Sequence, residues 1–249
     1  MTKKYTIRIR RYDPQTGKNW YDIHNIYAER RMTVLDALNQ INEHERAGIS
    51  YRSSCRMSIC GSCGTIVNGK SVLMCNTFLK DLEDPVTIEP LRNFAIVKDL
   101  VVDTDAAMEK LRDALPYTTF SITKSRCESV QTPKQLEKIK QTSQCIKCML
   151  CVSACPIYGL DYNFMGPAAA AIAYRYNKDS RDHVGEKRLD SLTGRNGVWK
   201  CNFVGECSNV CPKNVDPAGA IQKMKVMGVL HCIKSALKPK LKSKSKSKK

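Results

Sequence analysis

The chain begins with strict alternation. Tyr5, Ile7 and Ile9 share one side of a period-two pattern, and Thr6, Arg8 and Arg10 share the other. A strand with one buried face is written this way. Asp13-Pro14 and Gly17 mark a turn, and Trp20 to Ile23 reads as the returning strand. Thr33 then has the chemistry of a helix N-cap, with Asp36 in the first turn and Val34, Leu35, Leu38 and Ile41 on one helical face. Thr65-Ile66-Val67 and Val72-Leu73-Met74 flank Asn68-Gly69, the dipeptide best suited to a type I′ hairpin turn. Val86 to Glu89 reads as the last strand, stopped by Pro90. Strands enclosing one helix fit a β-grasp sheet.

Past residue 100 the period changes to that of a helix. Asp103 to Leu115 carries Ala107, Met108, Leu111 and Leu115 on one face and ends before Pro116. Thr132-Pro133-Lys134-Gln135 is a capping box with proline at the first helical position, opening a helix that runs towards Cys145. Pro167 to Tyr176 is an alanine-rich helix, and Asp216-Pro217 opens another that reaches about Ala236. The fold class is therefore α+β, with a sheet domain over residues 1–100 and a mainly helical domain over 101–237. Residues 238–249 form a low-complexity, lysine-rich tail with the composition of disorder.

Composition changes this picture in two places. The formal net charge is +17, which suggests a nucleic-acid binder, but the tail holds seven lysines and leaves +10 for the rest. Bound metal–thiolate groups would remove more, and no basic stripe is interleaved with aromatics, so no nucleic-acid partner is expected. The tail reads as a solvated end, with contact to anionic lipid as the other reading. No stretch approaches the length of a membrane-spanning helix, and the first residues lack the apolar core of a secretory signal. That places the chain in a reducing compartment, where disulfides are not expected.

The second change comes from cysteine. Eleven of thirteen fall into three groups. Cys55, Cys60, Cys63 and Cys75 read C-x4-C-x2-C-x11-C, with Gly61 and Gly64 allowing close backbone approach. Cys145, Cys148, Cys151 and Cys155 read C-x2-C-x2-C-x3-C-P. Cys201, Cys207 and Cys211 repeat that run with one ligand missing, because Val204 stands where the middle cysteine would be. Zinc suits isolated C-x2-C units, but these spacings are those of iron–sulfur ligand sets. The sheet domain thus reads as a plant-type ferredoxin unit holding a 2Fe–2S cluster, and the helical domain as a bacterial-type two-cluster ferredoxin unit. In such units the fourth cysteine of each run ligates the other cluster. Cys145, Cys148, Cys151 and Cys211 then hold a 4Fe–4S cluster. Cys155, Cys201 and Cys207 hold the other, and the gap at Val204 makes it a 3Fe–4S centre, or a cubane whose labile fourth iron is held by water. Cys127 and Cys232 lie outside all three groups and read as small buried hydrophobes.

CRMSICGSCG (Cys55 to Gly64), CIKCMLCVSACP (Cys145 to Pro156) and CNFVGECSNVCPKNVDP (Cys201 to Pro217) together resemble the iron–sulfur subunits of succinate dehydrogenase and quinol:fumarate reductase. The resemblance covers nearly the whole chain except the tail. GPAAAAIAYRYNKDSRDH (Gly166 to His183) and NGVWKC (Asn196 to Cys201) are most similar to the four-subunit bacterial fumarate reductases. The resemblance implies an electron-transfer chain of three clusters, working between the FAD of a flavoprotein subunit and a quinone held at membrane anchor subunits. It implies a peripheral position on the cytoplasmic face of the inner membrane. The N-terminal cluster would face the flavoprotein and the three-iron centre the membrane. Residues matching the quinone pocket are Asn202, Gln222 and Lys225, Lys225 reading otherwise as a surface helix lysine. Asn202 and Ile157-Tyr158-Gly159 replace the histidine and aromatics common in the dehydrogenases, which favours a low-potential quinone such as menaquinone. The same subunit in a complex working mainly as a succinate dehydrogenase is the alternative within the family. A free multi-cluster ferredoxin is the alternative outside it, and such carriers are usually acidic.

Overall fold

The structure, a computed structural model, describes residues 2–119 and 129–237. Cys127 and the lysine-rich tail lie outside the described residues. In chain order the elements begin with β1 (Lys3–Tyr12), β2 (Asn19–Ala28), α1 (Val34–Glu45), β3 (Gly64–Val67), β4 (Lys70–Leu73), β5 (Val86–Glu89), β6 (Ile96–Lys98) and β7 (Val101–Val102). The helical part follows as α2 (Asp105–Asp113), α3 (Pro133–Ser143), α4 (Leu150–Ser153), α5 (Pro156–Leu160), α6 (Gly166–Lys178), α7 (Gly185–Leu192), α8 (Glu206–Asn209) and α9 (Pro217–Leu237).

The first five strands make one sheet in the order β2-β1-β5-β3-β4. β1 is antiparallel to β2 and parallel to β5, so α1 is part of the crossover that a parallel pair requires. Tyr5, Ile7 and Ile9 are buried as the alternation predicts, against Val34, Leu35, Ala37, Leu38 and Ile41 of α1. Thr33 caps α1 by accepting from the Asp36 N–H, while the Asp36 carboxylate accepts from the Thr33 N–H. Val67 pairs with Lys70, leaving Asn68 and Gly69 as a two-residue turn with φ of 45° and 82°. Both values are positive, as a type I′ turn demands.

The structure departs from the sequence reading at two strands. β2 continues to Ala28, five residues past Ile23, because every residue of β1 from Lys3 to Tyr12 has a partner on it. Val86–Glu89 is also not the last strand. β6 and β7 pair with each other around Asp99, which has φ of 47°. No glycine marks that turn. Asp99 is instead held by a buried ion pair, with Arg11 Nε donating to its carboxylate at 2.9 Å and the N–H groups of Ser50 and Tyr12 donating at 2.9 and 3.2 Å. The Arg11 guanidinium also donates to the carbonyls of Ala47 and Gly48. This knot secures the base of the loop that carries the first cysteine group.

A second core surrounds α6. Gly166 to Tyr174 are all buried, and the alanine run lets α9, α3 and α2 pack closely against it. The capping box at Thr132 and Gln135 forms as predicted. α4, α5, α7 and α8 are four to eight residues long and have no counterpart in the sequence reading. The two cores meet directly. Leu150 of α4 is fully buried within the sheet domain's core, which also takes in Leu100 and Val102. Ser71 Oγ donates to Ser153 Oγ at 3.1 Å in the buried interface. The Asn93 amide donates to the carbonyls of Val152, Ser153 and Cys155 at 2.9, 3.1 and 3.0 Å.

Burial alone would raise the Asp99 pKa. The hydrogen bonds from Arg11, Ser50 and Tyr12, together with the Arg11 charge, more than offset that and hold it below the usual carboxylate value. Its stabilising contribution is therefore complete above about pH 4, the unfolded value, and is lost as pH falls through the lower folded value. Asp99→Asn is expected to lower stability at neutral pH by about 3–5 kcal/mol, as for one broken member of a buried pair. It should also flatten the acid side of a denaturation-versus-pH curve.

Candidate metal centres

Between Ser50 and Gly64 the chain is mostly irregular, and its shape is set by backbone that turns left-handed. Arg56, Ser58 and Gly61 have φ of 55°, 60° and 75°. These turns aim N–H groups inward. Met57, Ile59 and Cys60 donate to Cys55 Sγ at 3.5, 3.3 and 3.3 Å, and Ser58 donates to Cys75 Sγ at 3.3 Å. Cys63 and Cys75 lie with their sulfurs 3.3 Å apart, Cys75 being delivered by the short helical turn after β4. All four cysteines of the first group are thus brought together, and their thiolates would meet N–H donors rather than bare apolar surface.

The seven cysteines of the second and third groups line two cavities. Cys145, Cys148, Cys151 and Cys211 line one apolar cavity, walled by Ala168, Ala171 and Val215. Cys155, Cys201 and Cys207 line a second, with Ile157, Phe164 and Ile221. Burial pushes the Cys148 thiol up to about 11, with repulsion from Cys145 and Cys211 adding to it. Burial pushes Cys207 up to about 12, helped by Cys155 and Cys201. Cys151 is raised well above the usual thiol value by burial and by Cys148, Cys145, Cys207 and Cys211. Because Cys151 feels Cys207, the two groups are neighbours.

Such sites suit a polynuclear metal group. Thiols held protonated by burial and mutual repulsion ionise readily only if cationic metal enters among them. Among the described residues, no three His, Cys, Asp or Glu side chains gather closely enough to share one ion. The thiols of the two inner groups line apolar cavities, and the spacings of all three groups are those of iron–sulfur ligand sets. Left-handed residues recur here: Lys147, Met149 and Phe203 have φ of 56°, 63° and 58°. Phe203 N–H donates to Cys201 Sγ and Tyr158 N–H to Cys155 Sγ, both at 3.4 Å. The sequence carries no sign of these conformations, because none of the three is glycine or asparagine.

Val204 lies in the wall of the second cavity and is 56 % exposed, beside Phe203. Asn202 shares that wall. Lys225 is half-buried on α9, and its ammonium donates to the Cys201 carbonyl at 2.7 Å. Gln222, one helical turn earlier, has a buried side-chain nitrogen with no partner among the described residues. Cys232 is exposed on α9 among the described residues, against the expectation of burial.

Residues 6–109 match the 2Fe-2S iron-sulfur cluster binding domain family, and residues 141–215 match the 4Fe-4S dicluster domain family. The chain is 45 % identical over 249 residues to the fumarate reductase iron-sulfur subunit of Haemophilus influenzae, covering 94 % of this chain and 96 % of that one. It is 44 % identical to the same subunit of Mycobacterium tuberculosis, covering 96 % and 98 %.

This chain belongs to the fumarate reductase and succinate dehydrogenase iron–sulfur subunit family.

The succinate dehydrogenase iron-sulfur subunit of Coxiella burnetii is 36 % identical, covering 88 % of this chain and 95 % of that one. A chain of the Mycobacterium smegmatis Sdh1 complex in the apo form superposes with a TM-score of 0.83 at 24 % identity, over 92 % of this chain and 97 % of that one, which shows the shared fold. As a member of the family, the protein is an electron-transfer subunit of an oxidoreductase complex.

The thiols of the first site differ sharply from one another. Hydrogen bonds from Ser62 and Cys55 draw the exposed Cys60 down to about 6, whereas burial pushes Cys63 up to about 11. At pH 7 a metal-free subunit should therefore present Cys60 as thiolate and Cys63 as thiol. Mass spectrometry after brief iodoacetamide treatment should find Cys60 alkylated before Cys63 and Cys207. Equal labelling of the three would contradict the geometry.

Proposed function

We propose that this chain carries electrons between a quinol at a membrane anchor and the FAD of a flavoprotein subunit, within a quinol:fumarate reductase. The observation that carries the reading is the division of seven buried or half-buried cysteines into one set of four and one of three. The short set lies beside Val204, at an exposed apolar edge. The greater similarity to named fumarate reductase subunits, 45 % against 36 % for the dehydrogenase relative, supports the assignment within the family.

In this reading Cys55, Cys60, Cys63 and Cys75 hold a 2Fe–2S cluster, Cys145, Cys148, Cys151 and Cys211 a 4Fe–4S cluster, and Cys155, Cys201 and Cys207 a 3Fe–4S cluster. When bound, these groups supply one-electron carriers. The protein's part is to fix their spacing, exclude water and tune their charge. Buried alanines of α6, with Phe164 and Ile221, keep both inner cavities apolar. The left-handed loops supply N–H donors to the sulfurs, which favours added negative charge on reduction.

Asn202, Gln222 and Lys225 are assigned to the quinone. Lys225 uses one ammonium proton on the Cys201 carbonyl and keeps two for a ligand. Gln222 stands one turn away on the same helix face, with an amide donor to spare. A cation and an amide donor aimed at a quinone oxygen stabilise the negative charge that develops there. Around them is an apolar surface: Trp199, Phe203, Val204, Val226, Val229 and Leu230 are all exposed. No helix among the described residues is long and apolar enough to cross a membrane. We assign this surface to the anchor subunits, which places the subunit as a peripheral member on the cytoplasmic face of the membrane. Menaquinone is the quinone that the residue pattern favours.

Two measurements test the reading. Lys225→Ala should lower quinol-linked fumarate reduction in the purified complex by about 10- to 100-fold, the range for one hydrogen bond to a charged group. Fumarate reduction driven by a soluble dye at the flavoprotein should be unchanged. Val204→Cys supplies a fourth thiolate, so the oxidised three-iron EPR signal should fall while iron content rises. A wild-type complex lacking that signal, with four irons at both inner sites, would overturn the three-iron assignment.

A further inference from the structure

The loop of the first site and the first loop of the second site meet at backbone level. A Cβ built on Gly61 would lie 2.8 Å from the Cβ of Cys148, 3.0 Å from its Cα and 3.2 Å from the Ile146 carbonyl oxygen. A Cβ on Gly64 would lie 3.3 Å from the Cys148 carbonyl oxygen and 3.2 Å from Leu150. The Gly61 contacts are with backbone and with a ligand's Cβ, so no flexible side-chain end can swing aside. Gly61 stands between Cys60 and Cys63, two candidate ligands of the first centre, and Cys148 is a candidate ligand of the second. Lys147 and Met149, on either side of Cys148, are both left-handed, and Met149 is buried.

We infer that the Gly61–Cys148 contact sets the spacing of the first two centres and is the passage for the electron between them. This rests on the cluster assignments proposed above. One electron leaves the ligand set of one centre and arrives at the other, and no bond forms or breaks. The transfer rate falls steeply with separation, so the absence of a side chain at residue 61 fixes how close the two ligand loops can come. Gly61 is a positioning residue in this account. Its φ of 75° is a second demand for glycine, and the two demands are separable. Gly69 has φ of 82° but nothing within 4 Å of its built Cβ, so Gly69→Ala carries similar backbone strain without touching the interface.

The experiment compares Gly61→Ala with Gly69→Ala in the purified, cluster-loaded complex. Iron and sulfide content and the separate EPR signals report whether both centres are assembled. With both in place, Gly61→Ala should weaken the magnetic interaction between the reduced first and second centres and slow electron equilibration between them. Gly69→Ala should leave both readings at the wild-type value. A Gly61→Ala complex with both centres assembled and an unchanged interaction overturns the inference. The wild-type complex gives an independent measurement that needs no variant to fold. The first centre's EPR signal should relax faster when the second centre is also reduced, and an unaltered relaxation rate would equally overturn it. Absence of cluster iron from the native complex would instead overturn the functional reading beneath.

Discussion

Buried thiols that must ionise together dominate this molecule. Cys151 is enclosed and feels Cys145, Cys148, Cys207 and Cys211, and each of these would repel it as a thiolate. Among the described residues, the cationic side chains lining the two apolar cavities are Lys147 and Lys213, both at the wall of one. The arrangement is therefore matched to a positive metal group inside and is costly without one. Much else in the helical domain follows from enclosing that charge. The alanine face of α6 closes one side, the start of α9 closes another, and α4 and α8 are single turns that carry ligands between them.

The same constraint explains where the backbone is strained. Non-glycine residues with positive φ gather at the cysteine loops, as at Arg56, Ser58, Lys147, Met149 and Phe203. Each costs of order 1–3 kcal/mol in isolation. The recurring benefit is an N–H group turned towards sulfur, seen at Ser58 for Cys75 and at Phe203 for Cys201. Stability elsewhere offsets that strain through ordinary means: two buried apolar cores, capping boxes at α1 and α3, and the Arg11–Asp99 ion pair. The ion pair also ties β1 to Ser50, at the start of the cysteine loop.

Function follows from how the two domains are joined. Leu150 enters the sheet domain's core from the second cysteine run, and Asn93 returns the contact by holding three carbonyls at the end of that run. The interface packs the second cysteine run directly against the sheet that carries the first. At one end Cys60 is exposed, and at the other Phe203 and Val204 are exposed. The first loop also exposes Met57 and Ile59, so apolar side chains reach the surface at both ends.

Much of this was legible in the sequence, because the informative patterns are local. Alternation at Tyr5, Ile7 and Ile9, the Asn68-Gly69 turn, the Thr33 N-cap, the Thr132 capping box and all three cysteine spacings depend only on neighbours along the chain. Cys211 lines the cavity of the second group and Cys155 that of the third, which is where a crossed run of three plus one would put them. What tertiary structure alone decided is set by partners distant in sequence. β6 and β7 turn at Asp99 because Arg11, eighty-eight residues earlier, holds it. The length of β2 comes from β1, and the exposure of Cys232 depends on which elements among the described residues pack against α9. The closeness of Gly61 to Cys148 belongs to the same class: a glycine in the sequence says that space or a turn is needed, and only the folded chain says which atoms occupy it.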